Sequence, residues 1–242
     1  MTSQLTYVPG NYWDVCDYIL KVRPVEVAGV VFIRVLSWRL VGQIVGLYAM
    51  GCWRVANVLV GNLFSLMRDR RRRRLQELGI PRFGLKTMGD GEIVEWVKRN
   101  GVDLIVNLRT RDIFGSSILA APAMGCINVH HGLLPRYRGM YCDLYALAEG
   151  RPAGFTVHVM DAGLDTGRIL LQEVVAQSAK DYVAYLGRAA RQEGPALARL
   201  LRRIQREGRL PEGEANTATD AVFTRMPTPA TIKAFRLAGM QL

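Results

Sequence analysis

Histidine is scarce in this chain: 242 residues hold only three, His130, His131 and His158, and all fall within one short window. Cysteine is nearly as sparing. Cys16, Cys52, Cys126 and Cys142 form no CxxC pair, which argues against a zinc knuckle, a redox dithiol and a secreted disulfide framework. No Gly-x-Ser-x-Gly elbow is present, so serine-nucleophile chemistry is poorly supported. No basic, apolar leader opens the sequence, because residues 1–9 are polar and Asp14 and Asp17 follow soon after. A cytoplasmic location is therefore expected. Acidic residues are the minority, 21 against 32 Lys and Arg, and the resulting charge of +11 points to anionic partners.

Half the residues are apolar, enough for one α/β domain with a small appendage. The order of patterns is strand, helix, strand. A short strand is expected at 5–8, a helix at 13–22 with Asn11 as its cap, and a buried strand at 25–35. The 25–35 run lacks polar alternation, as a parallel sheet covered on both faces requires. The rhythm resumes with a strand at 82–86, a helix capped by Asp90, a strand at 102–108, a short helix at 113–121 and a strand at 126–129. Two more strands follow at 154–161 and 168–175, then a long basic amphipathic helix over 181–207 and a last short helix starting at Thr228-Pro229. This predicts an α/β fold with a Rossmann-like, mostly parallel sheet flanked by helices and a small C-terminal appendage. The expected division is a catalytic domain at 1–208, with an apolar helical insertion at about 38–78, and a linker with a short helix at 209–242.

From 40 to 67 the only charged residue is Arg54, and an arginine run at 68–74 follows. Three readings stay open: a buried or oligomeric helix, a helix in the lipid interface, and a membrane span. Arg54, Gln43, Asn57 and Asn62, with glycines at 42, 46, 51 and 61, weigh against the span. The arginine run reads as a solvated helix end.

The histidine window reads Asn128-Val-His130-His131-Gly-Leu-Leu134-Pro135-Arg-Tyr137-Arg138-Gly139, then Thr156-Val-His158 and Asp161-Ala-Gly163-Leu-Asp165-Thr-Gly. Residues two apart on a strand face the same way, so Asn128 and His130 project together at a carboxyl end, where ligands bind in parallel sheets. An amide beside an imidazole can stabilise an oxyanion, and Asp165 on its Gly-bounded loop can hold the imidazole or take a proton. Adjacent His130 and His131 diverge and no third ligand stands at zinc-like spacing, so no metal is expected. His158 reads as a strand histidine or a wall of the site.

These motifs, in this order over roughly 80–180, resemble the signature of the folate-dependent formyltransferases, the family of glycinamide ribonucleotide, methionyl-tRNA and amino-sugar formyltransferases. The resemblance implies formyl transfer from N10-formyltetrahydrofolate to a primary amine, with Asn128 and His130 on the tetrahedral oxyanion and Asp165 assisting. By the same resemblance Asn107, Leu108, Arg109, Ile113, Asp161 and Gly163 hold the folate, while His131, Leu134, Pro135, Tyr137, Arg138, Gly139 and His158 bind the amine substrate.

The sequence also departs from the family pattern. Gly132 stands where the family usually carries serine, and the doubled His130-His131 is similar to deformylases, which send the formyl group to water. Asn107-Leu-Arg-Thr-Arg-Asp112 replaces the usual folate loop, and no Gly-rich phosphate loop lies near Pro9-Gly10. The leading expectation is transfer to a small, anionic amine acceptor; hydrolysis, or a non-catalytic folate- or membrane-binding relative, is the alternative. Too few residues follow Glu207 for the β-barrel of methionyl-tRNA enzymes, so transfer RNA is expected to be disfavoured. Peripheral membrane contact through 40–74, at the inner membrane face, and a homo-oligomer complete the expected partners.

Overall fold

The computed structural model describes residues 1–3, 6, 8–34, 38–67, 70–89, 91–110 and 112–242. In chain order it begins with β1 (Thr2–Ser3), a 3-10 turn (Pro9–Tyr12), α1 (Trp13–Val22) and β2 (Val30–Ile33). Three helices follow, α2 (Trp38–Ala49), α3 (Trp53–Met67) and α4 (Arg70–Glu77), and then β3 (Arg82–Leu85), α5 (Gly91–Arg99), β4 (Ile105–Leu108) and α6 (Ser116–Leu119). The second half runs β5 (Cys126–His130), β6 (Tyr137–Gly139), α7 (Cys142–Ala148), β7 (Ala153–Val159), β8 (Ile169–Ala176), α8 (Tyr182–Glu207), β9 (Val222–Thr224) and α9 (Pro229–Leu237).

Seven strands form one sheet in the order β3-β2-β1-β4-β5-β7-β8. The first five are mutually parallel, whereas β7 runs antiparallel to β5 and β8 antiparallel to β7. This is the expected Rossmann-like, mostly parallel architecture. Helices cover both faces: Ile19, Leu147 and Leu186 join Ile127 and Val129 in one apolar cluster, while Ile93, Val97 and Ile118 join Ile105 and Cys126 in another. The chain order reverses between β1 and β4, and loops leaving the carboxyl ends there open the crevice in which such sheets bind ligands.

Several local expectations change. Of the strand expected at 5–8, residues 5 and 7 lie outside the described residues; a first strand is described at Thr2–Ser3. It sits at the centre of the sheet, where the Met1 ammonium donates to the Val106 carbonyl at 2.7 Å. The 25–35 run contributes only Val30–Ile33 to the sheet. Asn11 does not cap α1, because the chain makes a 3-10 turn through it and Tyr12 stands at the N-cap with φ 62°. Asp90, the other expected cap, lies outside the described residues, but Asp181 and Thr228 cap α8 and α9 through side-chain bonds to Ala184 and Thr231.

The apolar stretch 40–67 is broken at Gly51, φ 72°, into the pair α2 and α3. Among the described residues no helix is long and apolar enough to cross a membrane. Periodicity did not reveal α7 or the two-stranded parallel ribbon of β6 and β9. The ribbon ties residues 222–224 to the segment that follows the histidines, and Phe235 of α9 packs edge-on against Tyr145 of α7, with ring centroids 5.1 Å apart.

Two glycines test this packing. A methyl group on Gly154 would overlap the Glu173 carbonyl of the neighbouring strand, so Gly154→Ala is expected to cost about 1–3 kcal/mol. At Gly42 in α2 nothing lies within 4 Å of the added carbon, and Gly42→Ala is expected to gain about 0.5–1 kcal/mol. Urea denaturation of both variants checks the pair; equal effects would contradict the described β7–β8 contact.

Candidate active site

The pleat of β5 sorts its side chains. Ile127 and Val129 enter the core on one face, whereas Asn128 and His130 project from the other beside the β7–β8 loop. That loop folds back over the sheet, and Asp165, at φ 53°, brings a carboxylate oxygen to 3.4 Å from His130 Nδ1. Asn128 and His158 are directly paired across β5 and β7, and His158 Nε2 lies 3.4 Å from the other oxygen of Asp165. The three residues expected to act together therefore meet in one cluster.

Hydrogen bonds fix how each group points. The His158 Nδ1–H donates to the Val159 carbonyl at 2.8 Å, which leaves Nε2 to accept from the Asn128 amide at 3.2 Å. Asn107, level with Asn128 on β4, donates to its Oδ1 at 3.0 Å. With that oxygen taken, the Asn128 NH2 has one hydrogen on His158 and one left for an acyl oxygen. Asn107 in turn accepts from the Thr110 backbone and hydroxyl. Its side chain thus orients Asn128, a role that its placement among the folate residues did not anticipate.

His130 donates from Nε2 to the Tyr137 carbonyl at 2.9 Å and turns Nδ1 to Asp165. Gly132 makes this possible. A side chain there would run into the His130 ring, Cys142 and the Tyr137 carbonyl, so the exchange of serine for glycine leaves room for the ring. Burial pushes the His130 imidazole below its ordinary value, opposed by the charge of Asp165. For Asp165 burial acts upward, but the charge of His130, foremost among the opposing causes, and the Gly139 N–H, donated at 2.8 Å, help to bring it down to about 2.

His131, expected at the substrate, has the opposite parity and points into the other core. Its Nδ1 lies 3.3 Å from Asp143, and its Nε2 meets Glu193 of α8. Burial, then the charge of Arg109, lower His131 to about 3, while burial raises Glu193 well above the carboxylate range. The arrangement is self-consistent: the neutral ring gives its Nδ1–H to Asp143 and accepts at Nε2 from a protonated Glu193. The Tyr12 hydroxyl donates to the second Glu193 oxygen and that of Tyr182 donates to Asp143 at 3.0 Å. Arg109 lies 3.9 Å from Asp143 and over the Tyr12 ring, so its side chain is also drawn inward.

Other expected binding residues are structural as well. Leu134 and Leu108 are buried in the core, Tyr137 is buried with its hydroxyl donating to Glu149 at 2.6 Å, and buried Arg138 donates to the Asn216 carbonyl at 2.9 Å. These contacts engage the Tyr137 hydroxyl and one Arg138 nitrogen, while Arg138 Nε is buried without a hydrogen-bond partner. His158 is buried and acts on Asn128 rather than forming an open wall. Pro135 and Gly139 remain partly accessible, and Asp161, Gly163 and Ile113 are exposed, Ile113 to 85%. Asp161 accepts from the Gly163 N–H and the Thr166 hydroxyl and so shapes the Asp165 loop. Two surface cavities, of about 560 and 780 Å³, lie elsewhere, one beside Trp53 and one beside Gln172.

Sequence reasoning missed Asn216, Thr156, Asp143 and Glu193. Asn216, in what reads as a polar linker, is buried and donates to the carbonyls of Asp165 and Gly167 at 2.9 and 2.8 Å, holding the catalytic loop. Thr156 shares a face with His158 and bonds the Gly132 carbonyl at 2.7 Å. A carboxylate on the apolar face of the amphipathic helix was the available signal for Glu193; Asn216 gave none.

The formyl transferase family model matches residues 67–201, which include Asn128, His130 and Asp165. The chain belongs to the formyl transferase family. It is 37% identical over 139 residues to a methionyl-tRNA formyltransferase of Thermosynechococcus vestitus, covering 57% of this chain and 40% of that one. A Syntrophomonas wolfei protein of the same name is 44% identical over 86 residues, 35% of this chain and 27% of the relative. The match spans well under half the length of these curated relatives. Their names overturn the expectation that transfer RNA is disfavoured, which rested only on the number of residues after Glu207. In solved structures the fold resembles a phosphoribosylglycinamide formyltransferase from Anaplasma phagocytophilum, with a TM-score of 0.60, 21% identity and coverage of 92% of this chain and 94% of that one. A 4-N formyltransferase from Francisella tularensis gives a TM-score of 0.57 at 15% identity, covering 90% and 74% of the two chains.

The depressed Asp165 carboxyl makes a signed prediction. Its contribution to stability is present above the unfolded value of 3.8 and is lost as pH falls toward about 2, on the order of 2 kcal/mol in all. Asp165→Asn should therefore flatten the loss of unfolding free energy between about pH 5 and pH 2, measured by urea titration. An unchanged acid profile would remove Asp165 from the ion-pair cluster.

Proposed function

We propose that this chain transfers a formyl group from N10-formyltetrahydrofolate to a primary amine. The observation that carries this reading is the meeting of Asn128, His130 and Asp165, with the Asn128 amide oriented so that one N–H is left for an acyl oxygen. In the step, the acceptor nitrogen bonds to the formyl carbon and the bond from that carbon to the donor nitrogen breaks. The acceptor nitrogen loses one proton and the donor nitrogen gains one. The Asn128 N–H stabilises the oxyanion between these events, a preorganised donor of the kind that contributes about 3–4 kcal/mol. Asp165, ionised across the neutral range, pairs with His130 Nδ1 as the ring takes up the acceptor's proton.

The ring faces of the donor can pack on the rim of this site, where Ile113 and Leu164 are 85% and 58% exposed on the loops that follow β4 and β7. Residues 107–109 and 161–163 remain our assignment for its backbone contacts. The doubled histidine no longer favours hydrolysis, because His131 is committed to Asp143 and Glu193 on the opposite face. Three acceptors are weighed: aminoacylated transfer RNA follows from the curated relatives' names, and a nucleotide-linked amino sugar or another small anionic amine from the chemistry expected of the motifs.

The test is incubation with the formyl donor and a panel of these three amines, read by mass spectrometry for a gain of about 28 Da, the CO added by acyl transfer. One acceptor should be formylated, and Asn128→Ala should lower kcat about 10²- to 10³-fold. Formate release without any formylated amine, or unaltered turnover in the variant, would overturn the proposal.

A further inference from the structure

The α2–α3 hairpin carries a surface that the chemistry above does not use. Leu40 and Leu47 of α2 and Ala56 and Asn62 of α3 turn toward the body, where Asn62 donates to the Thr6 and Val8 carbonyls at 2.8 and 2.7 Å. The helical repeat then places Val41, Val45 and Tyr48 on the outer side of α2, and Trp53, Asn57, Gly61 and Phe64 on that of α3. The large apolar members are open to solvent: Val41 53%, Val45 61%, Tyr48 45%, Trp53 55% and Phe64 59%.

The two outer stripes share one face, because the Tyr48 hydroxyl donates to Asn57 Oδ1 at 2.6 Å across the helix pair. That bond joins the Tyr48 hydroxyl to the Asn57 oxygen between the two apolar stripes. No carboxylate occurs in the sequence between Glu26 and Asp69. Positive charge borders both ends. At the hairpin tip Arg54, Lys233 and Arg236 line the 560 Å³ cavity together with Trp53 and the 81% exposed Leu237, and at the far end Arg70, Arg72 and Arg73 of α4 are exposed.

From this juxtaposition we infer that the outer face of α2–α3 docks on an anionic lipid bilayer, with the aromatic and valine side chains at the headgroup boundary and the arginines and Lys233 on lipid phosphates. An apolar strip with no acidic residue of its own, and with cationic borders in which Asp181 pairs with Arg54, is the complement of such a surface. A second copy of the chain is the poorer occupant, since a two-fold contact brings like-charged borders together, whereas anionic lipid neutralises them. The face is far too short and too rich in glycine to span, in keeping with helices of 12 and 15 residues.

Flotation of the full chain with phosphatidylcholine vesicles, with and without phosphatidylglycerol, tests the inference. Binding should require phosphatidylglycerol and weaken at high salt. The double variant Val41→Asp/Val45→Asp should bind at least about tenfold less, while Val174→Asp, an equally exposed valine on β8, should float like the parent. Circular dichroism and the thermal midpoint establish that the hairpin variant is folded; if it is not, Phe64→Asp takes its place. Flotation that ignores the hairpin variants, equal binding to neutral vesicles, or no binding at all overturns the inference. So does a lipid-free dimer in sedimentation velocity that the hairpin variant dissociates, which would assign the face to a second copy. Formyl transfer is read separately, so failure here leaves the proposed activity intact.

Discussion

The pleat of β5 is the constraint from which the rest of the candidate site follows. A strand turns successive side chains to opposite faces, so two adjacent histidines cannot share a site. His130 joins Asn128 and the Asp165 loop, and His131 enters the apolar layer beneath α8. There a buried imidazole needs partners on both nitrogens, and Asp143 and Glu193 provide them. Because Glu193 is fully enclosed, its uncharged form is the one that burial favours, and that form supplies the proton which the second imidazole nitrogen accepts. The buried network thus holds the base of the strand end whose other side presents the chemistry.

On the chemical side the dominant effect is orientation. An asparagine amide is useful to an oxyanion only if its NH2 faces the acyl group, and the pairing of its oxygen with Asn107 and of one hydrogen with His158 removes the flipped alternative. The Val159 carbonyl sets the His158 tautomer that makes this possible. Asn216 performs the corresponding task for the acid by gripping the Asp165 and Gly167 carbonyls from the far side of the chain. The resulting site is rigid where donors are needed and keeps its rim of exposed loop residues for ligand contact.

Much of this was legible in the residues. Apolar runs located β5 to within one residue and β4 with a start three residues early, and the period-two rule puts Asn128 and His130 on one face. The motifs carried the family, which the profile match over 67–201 shows. Other parts left no local trace. β1 is two residues long and is a strand only because β2 and β4 flank it, and Tyr137–Gly139 becomes a strand only by pairing with residues about 85 positions later, as the register of Tyr137 with Val222 shows. Tyr137 and Arg138 stood in a motif associated with substrate but are consumed by Glu149 and Asn216, contacts set by tertiary structure. The apolar 40–67 segment announced a surface or a core without saying which, because helical amphipathicity depends on where the turn at Gly51 falls.

Nitrogen-15 NMR of the histidine rings, followed from about pH 8 to about pH 5, tests the division imposed by the strand most directly. His131 should remain neutral throughout, with its proton on Nδ1, as expected for an imidazole brought down to about 3 between Asp143 and Glu193. A His131 ring that titrates near the ordinary value of 6.5 would show that it faces solvent or the acceptor site, and would contradict the account.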